Sequence, residues 1–221
     1  MHREIVNWRD LAYTTVMTTM ERLEQKGVLT REPKSVQAHL VLGRLYLRSG
    51  DLRSAIDTFG AATRLDPNSP DAHFALGNAY EPKGDTANAV SAYKRTIALS
   101  PMDPRAYNNV AYLYAAEGKN LDEALALARK AQDLRPDSSE ILDTLGYVYY
   151  QQREYQKAEP VFKRANELAG NNATILYHLG MTYFKLGRRD EAASTLRRVL
   201  QLQDTIPQGP EIRAVLEELR K

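Results

Sequence analysis

Residues 35–68 read SVQAHLVLGRLYLRSGDLRSAIDTFGAATRLDPN, and residues 69–102 read SPDAHFALGNAYEPKGDTANAVSAYKRTIALSPM. Laid one under the other, these two 34-residue stretches set Leu42-Gly43 over Leu76-Gly77, Tyr46 over Tyr80, Ala55 over Ala89, Phe59 over Tyr93, Ala62 over Thr96 and Pro67 over Pro101. The same order of small and large residues returns, stretched by one residue, as Val110-Ala111, Tyr114, Ala124, Ala128, Ala131 and Pro136. It returns again as Leu145-Gly146, Tyr149, Ala158, Phe162 and Ala165, and finally as Leu179-Gly180, Tyr183, Ala192, Leu196 and Val199. A Gly or Ala at the small position lets two helices approach closely, the Tyr fills the groove beside it, and the following Ala accepts the ring. One such unit cannot bury its own apolar face, so neighbours have to stack.

Helix boundaries follow the same register. With Val36, Pro70, Pro104, Ser139 and Ala173 as first positions, the preceding residues are Ser35, Ser69, Asp103, Ser138 and Asn172. Each offers a side-chain oxygen to amides that the first turn leaves unpaired. Pro70 and Pro104 stand where a missing amide costs nothing. Between the two helices of a unit, Gly50, Gly84, Gly118 and Gly187 fall at one position, suited to the left-handed conformation that ends a helix. Arg153 breaks that series, which predicts a strained or differently shaped turn. Pro82, near the end of a first helix, and Pro160, within a second helix, each remove a backbone donor.

This unit length and small-large-small pattern resemble the tetratricopeptide repeat over residues 36–204. The resemblance implies an all-α chain, a right-handed α-solenoid of about five helix-turn-helix units. The units span 36–69, 70–103, 104–138, 139–172 and 173–206 within a repeat region of 35–205. Residues 1–34 stand outside the register as an N-terminal helical extension, and residues 207–221 form a C-terminal capping helix. In that helix Ile212, Val215, Leu216 and Leu219 share one face, so it is expected to close the stack and do little else.

Members of this family bind ligands with the first helices of successive units. The resemblance therefore implies a peptide groove lined by Arg44, Arg48, Phe74, Asn78, Asn108, Asn109, Tyr112, Asp143, Tyr147, Tyr150, Tyr177, Met181 and Phe184. The family's carboxylate clamp uses two Asn and three cations. Asn78 and Asn109 match its amide positions, but Phe74, Glu140 and Thr144 stand where the cations belong, which argues against a clamp for a partner's C-terminus. An aromatic stripe remains, comprising Tyr112, Tyr147, Tyr150, Tyr177 and Phe184. Tyr combines large contact area with a polar tip and few torsions to freeze. These rings have two readings, as groove lining or as packing between first helices. Arg44 and Arg48 at one end, against Glu140 and Asp143 further along, predict a bound peptide with acidic groups toward the first unit and basic groups toward the fourth.

Leu11 to Glu32 is similar to the recognition helix and following strand of penicillinase-repressor-type winged-helix DNA-binding proteins. That similarity implies DNA contacts by Tyr13, Thr14, Thr15 and Thr18. Only His2 to Asn7 could stand for part of the helices that precede the recognition helix in that family, Ser35 already caps the first repeat where the wing would follow, and residues 1–34 carry six Lys and Arg against five Asp and Glu. Phosphate neutralisation supplies most DNA affinity, so nucleic acid is not the expected partner of this chain alone. The other reading makes Leu11 to Lys26 an amphipathic helix that covers the open end of the first repeat or a second copy of itself, the latter giving a homo-oligomer.

Composition narrows the remaining classes. Thirty Lys and Arg balance 28 Asp and Glu, so no net field favours nucleic acid or an acidic membrane. The absence of cysteine excludes disulfides, thiolate metal sites and a cysteine nucleophile. No apolar run approaches the roughly 20 residues of a membrane span, and Met1 to Asn7 lacks the apolar core of a signal peptide, so a cytoplasmic chain is the default. His39 and His73 share one repeat position and read as packing residues, whereas His178 neighbours the groove. No helical metal motif, phosphate loop or serine elbow occurs. A non-enzymatic interaction scaffold for a protein or peptide partner, with no metal and no cofactor, is the expectation. The alternatives are a transcription regulator with a winged-helix-derived N-terminal segment and a passive assembly module.

Overall fold

The computed structural model of the protein describes residues 35–203 and 205–220. The expected N-terminal extension, including Tyr13, Thr14, Thr15, Thr18 and the helix over Leu11 to Lys26, lies outside the described residues. Within them the chain forms eleven α-helices and no strand. The described residues divide into two compact units, one ending at Pro101 and the other beginning at Met102.

The first unit holds α1 (Val36–Ser49), α2 (Leu52–Leu65), α3 (Pro70–Tyr80) and α4 (Thr86–Leu99). α1 pairs with α2 and α3 with α4, while α2 and α3 pack across the junction between hairpins. Leu40, Ala55, Phe59, Ala62, Ala72, Ala75 and Ala79 make its core. The second unit holds α5 (Pro104–Glu117), α6 (Leu121–Leu134), α7 (Ser139–Gln151), α8 (Tyr155–Ala169), α9 (Ala173–Lys185), α10 (Arg189–Leu202) and α11 (Gly209–Glu218). Here three hairpins stack, with α5, α7 and α9 in succession on one side. Each unit is thus a pile of helix hairpins, the construction of an α-solenoid, and the apolar clusters are strung along the pile.

The predicted caps form at every first helix. Amides of Ala38, Ala72, Arg105, Ile141 and Thr174 donate to the side-chain oxygens of Ser35, Ser69, Asp103, Ser138 and Asn172, at 3.4, 3.3, 3.0, 3.4 and 2.9 Å. The turns between paired helices also match, with φ of 79° at Gly50, 76° at Gly84, 64° at Gly118 and 73° at Gly187. Arg153 adopts the same left-handed conformation at φ 62° despite its side chain, so the turn keeps its shape and carries the strain. α3 has 11 residues where α1 and α5 have 14, because Pro82 has no amide to continue the ladder. α8 runs on through Pro160.

The glycine of each unit makes room for the second helix. A methyl group on Gly146 would sit 2.7 Å from the Phe162 ring, and one on Gly180 would sit 2.7 Å from Leu196. The side chain that fills this space is therefore Phe59, Tyr93, Phe162 or Leu196, each essentially fully buried. Where that position shrinks to Ala128, the glycine is replaced by Ala111, and both are fully buried.

Candidate functional site

The second unit carries a pocket of about 290 Å³ built from the first-helix side of its stack. α5 contributes Tyr112, α7 contributes Tyr147, Tyr150 and Gln151, and α9 contributes Tyr177, His178 and Met181. Residues three and four apart lie on one helical face, which is why Tyr147, Tyr150 and Gln151 arrive together. Gln208, just before α11, and Glu211 in its first turn complete the lining.

Rings continue from helix to helix across this wall. The Tyr112 and Tyr147 centroids are 5.9 Å apart, Tyr147 stacks on His178 at 5.1 Å with planes 25° apart, and His178 lies 5.5 Å from Tyr177. Behind it His178 meets Phe162 at 5.4 Å. Asp143 on α7 orients the imidazole by accepting a bond from Nδ1 at 2.8 Å, and so ties α7 to α9. Gln151 Nε2 donates to the Tyr147 hydroxyl at 2.7 Å, and the Tyr177 hydroxyl donates to Glu211 Oε2 at 2.6 Å.

These surroundings hold both deeper phenols in their neutral form. Burial pushes Tyr150 up to about 12, helped by the neighbouring Tyr155 and the Glu211 carboxylate. Burial also raises Tyr177, and the hydrogen bond to Glu211, which its protonated hydroxyl donates, adds to the effect. Both remain hydrogen-bond donors at neutral pH.

Of the groove residues expected from the sequence, Tyr112, Tyr147, Tyr150, Tyr177 and Met181 meet at this pocket. Met181 is 6% exposed and forms its floor, whereas Tyr112 is 42% exposed at its edge. The rings of Tyr147, Tyr150 and Tyr177 are half-buried, so packing and lining are shared by the same side chains. Asp143 acts behind the wall through His178. Phe184 packs into the apolar cluster beneath α11, with Lys185 Nζ 5.5 Å from its ring centroid. Asn108 donates to Asn109 Oδ1 at 3.4 Å on α5, outside the lining.

Arg44, Arg48, Phe74 and Asn78 belong to the first unit. Arg44 and Arg48 are exposed on α1. The Phe74 ring lies 5.4 Å from Tyr93, whose hydroxyl oxygen is 2.7 Å from Asn78 Oδ1 and 2.9 Å from Glu81 Oε2, so that its one proton is shared between them. That bond draws Asn78 into its own hairpin. His39 is buried, its Nδ1 3.0 Å from Ser35 O, and His73 is half-buried with Nε2 3.0 Å from Pro67 O.

Gln208 and Glu211 are lining residues that the repeat positions of the five units did not point to. α11 does more than close the stack, since it brings Glu211 to the pocket. The signal was available, because the repeat step of 34 residues carried on from Tyr177 lands on Glu211. Among the described residues no set of three His, Asp or Glu side chains is placed to hold a metal ion, and no helix is long and apolar enough to cross a membrane.

The tetratricopeptide-repeat family matches residues 40–95 and 74–139, and the family of anaphase-promoting complex, cyclosome, subunit 3 matches residues 117–199. The chain is built from tetratricopeptide repeats. A further match, to the penicillinase repressor family, covers residues 1–40. No curated protein sequence matches the chain.

Among solved structures the repeats are similar to a chain of the APC/C hetero-tetramer Cut9-Hcn1, with 20% identity and a TM-score of 0.79 over 96% of this chain. The present chain spans only 39% of that one. A thermophilic TPR protein of Thermus thermophilus, TTC0263, is similar at 23% identity and a TM-score of 0.66, over 84% of this chain and 99% of that chain. YrrB, described as a TPR protein with an unusual peptide-binding site, is similar at 16% identity and a TM-score of 0.64, over 86% of this chain and 97% of that one. At such identities the likeness concerns the fold. Tetratricopeptide repeats make protein–protein interaction scaffolds that are generally non-enzymatic.

Proposed function

We propose that the chain is a non-enzymatic scaffold whose second unit holds an extended segment of a protein partner against the inner faces of α5, α7 and α9. The observation that carries this reading is the run of rings from Tyr112 through Tyr147 and His178 to Tyr177, which lines an open pocket while hydrogen bonds hold its members in place. Rigid aromatic rings supply contact area with little entropy left to lose on binding. Stacked repeats of this kind present extended concave surfaces to partners.

The test is selection of random linear peptides on the immobilised full chain, followed by affinity measurement. Selected peptides are expected to bind near micromolar, about −8 kcal/mol. Tyr147→Ala and Tyr177→Ala should each weaken them at least tenfold, about 1.4 kcal/mol. Peptides that bind both variants as well as the parent would place the binding surface elsewhere and overturn the reading.

One observation favours a second reading. The match of residues 1–40 to the penicillinase repressor family supports a regulator in which an N-terminal winged-helix-derived segment contacts DNA while the repeats engage a partner. Binding of labelled random duplex DNA at low salt tests it, since that condition maximises the phosphate contribution. No binding removes this reading for the chain.

A further inference from the structure

If the second unit holds a peptide, a premise on which the pocket's chemistry depends, the lining restricts which side chain of that peptide can enter. Glu211 is the only carboxylate among its lining residues, and none of them is Lys or Arg. Four tyrosines line the same pocket, and the hydroxyl of one of them, Tyr177, contacts the carboxylate directly. The face of each ring carries the negative lobe of its quadrupole, so ring faces and carboxylate favour positive charge together. Burial is the main reason that Tyr150 and Tyr177 keep their protons, and the nearby Glu211 carboxylate adds to it at both hydroxyls.

An anionic side chain would therefore meet repulsion. A purely apolar one would bury Glu211, Gln151 and Gln208 away from water without new hydrogen-bond partners. The volume of about 290 Å³ stands at the lower edge of small-molecule pockets, which suits a single long side chain.

Between the two long cations, the lining favours the flatter one. Guanidinium has a planar face for stacking on rings and five donors in a fixed fork, whereas ammonium is a compact and strongly hydrated point charge. The acceptors available to those donors come from several directions: the Glu211 carboxylate on α11, the amide oxygens of Gln151 and Gln208, and the hydroxyl oxygens of the tyrosines. Glu211 already accepts from Tyr177 through Oε2, which fixes the carboxylate and leaves it lone pairs for a second donor. We propose that this pocket takes an arginine side chain of the bound segment, with Glu211 as counter-ion and the tyrosine faces as stacking surface.

The experiment is an NMR titration of the full chain with N-acetyl-L-arginine methylamide, following the tyrosine ring signals. The citrulline and lysine analogues serve as comparators. Citrulline keeps the shape of arginine without its charge. Saturable shifts at Tyr147 and Tyr177 are expected with the arginine compound at millimolar concentration, and binding at least about tenfold weaker with citrulline.

Glu211→Gln keeps an oxygen to accept from Tyr177 and removes the charge. It should weaken the arginine compound about threefold to tenfold and leave the citrulline compound unchanged. Equal binding of arginine and citrulline, tighter binding of lysine, or an unaltered arginine affinity in Glu211→Gln would each overturn the assignment. So would the absence of shifts at the pocket rings. If the arginine compound fails while selected peptides still require Tyr147, only the pocket chemistry falls. If the peptides no longer require Tyr147, the groove reading falls with it.

Discussion

Gly146 and Phe162 stand sixteen residues apart and occupy one space. The ring is fully buried, and a methyl group on the glycine would approach three of its carbons at 2.7, 2.8 and 3.0 Å. Overfilling such a site costs about 1–3 kcal/mol, whereas emptying it by Phe162→Ala costs about 3–5 kcal/mol. The third unit shows the compensated alternative, with Ala111 and Ala128 at the equivalent positions. Gly146→Ala is therefore expected to destabilise the parent, yet to be neutral or stabilising once Phe162 is Ala. The coupling should be about 1–2 kcal/mol in a double-mutant cycle measured by urea unfolding. Additive effects would mean that the ring and the glycine do not share this volume. The repeat pattern assigns the space beside the glycine to the Tyr of the first helix, whereas the side chain that meets the glycine belongs to the second helix. Sequence spacing records that both are needed and is silent on which atoms touch.

At the scale of helices, the turn between α7 and α8 tests how far the repeat dictates its connections. The other four turns place Gly at the left-handed position, and Arg153 adopts that conformation with a side chain attached. The conformation costs a residue with a side chain about 1–2 kcal/mol, against which glycine's greater freedom in the unfolded chain offsets part of the gain. Arg153→Gly should consequently raise stability by about 0.5–1 kcal/mol, read as a higher denaturant midpoint with unchanged slope. A lower midpoint would show that the Arg153 side chain holds the turn through its own contacts. The caps were fully legible, since Ser, Asp and Asn act on amides two or three residues away. The role of α11 was legible only in part. Its apolar face announced a cap, and Ile212, Val215 and Leu216 do join Leu176, Met181 and Leu196 in one cluster. That docking also carries Glu211 into reach of Tyr177, a contact across 34 residues that no local pattern expresses.

For the molecule as a whole, the pocket couples stability to alkaline pH. Tyr150 is raised above the ordinary phenol value of about 10 to about 12, so the folded chain holds its proton more tightly than the unfolded chain does. The resulting stabilisation is fully present below about pH 10 and is lost as pH rises through about 12, amounting to about 1 kcal/mol once solvent screening of the half-buried hydroxyl is allowed for. Tyr150→Phe should flatten the fall in unfolding free energy over that window, with Tyr177 accounting for part of what remains. Parallel curves for parent and variant would place Tyr150 in contact with water. The sequence by itself determined the helix hairpins, their caps and their glycine turns. Those depend on near neighbours and on a period that repeats the same packing problem five times. Only the tertiary structure decided that Asp143 would hold His178, that Asn78 would turn to Tyr93, and that four tyrosines and Glu211 would share one pocket. These meetings depend on how successive helices are offset and rotated as they stack, and that is settled by the sum of buried contacts within each unit.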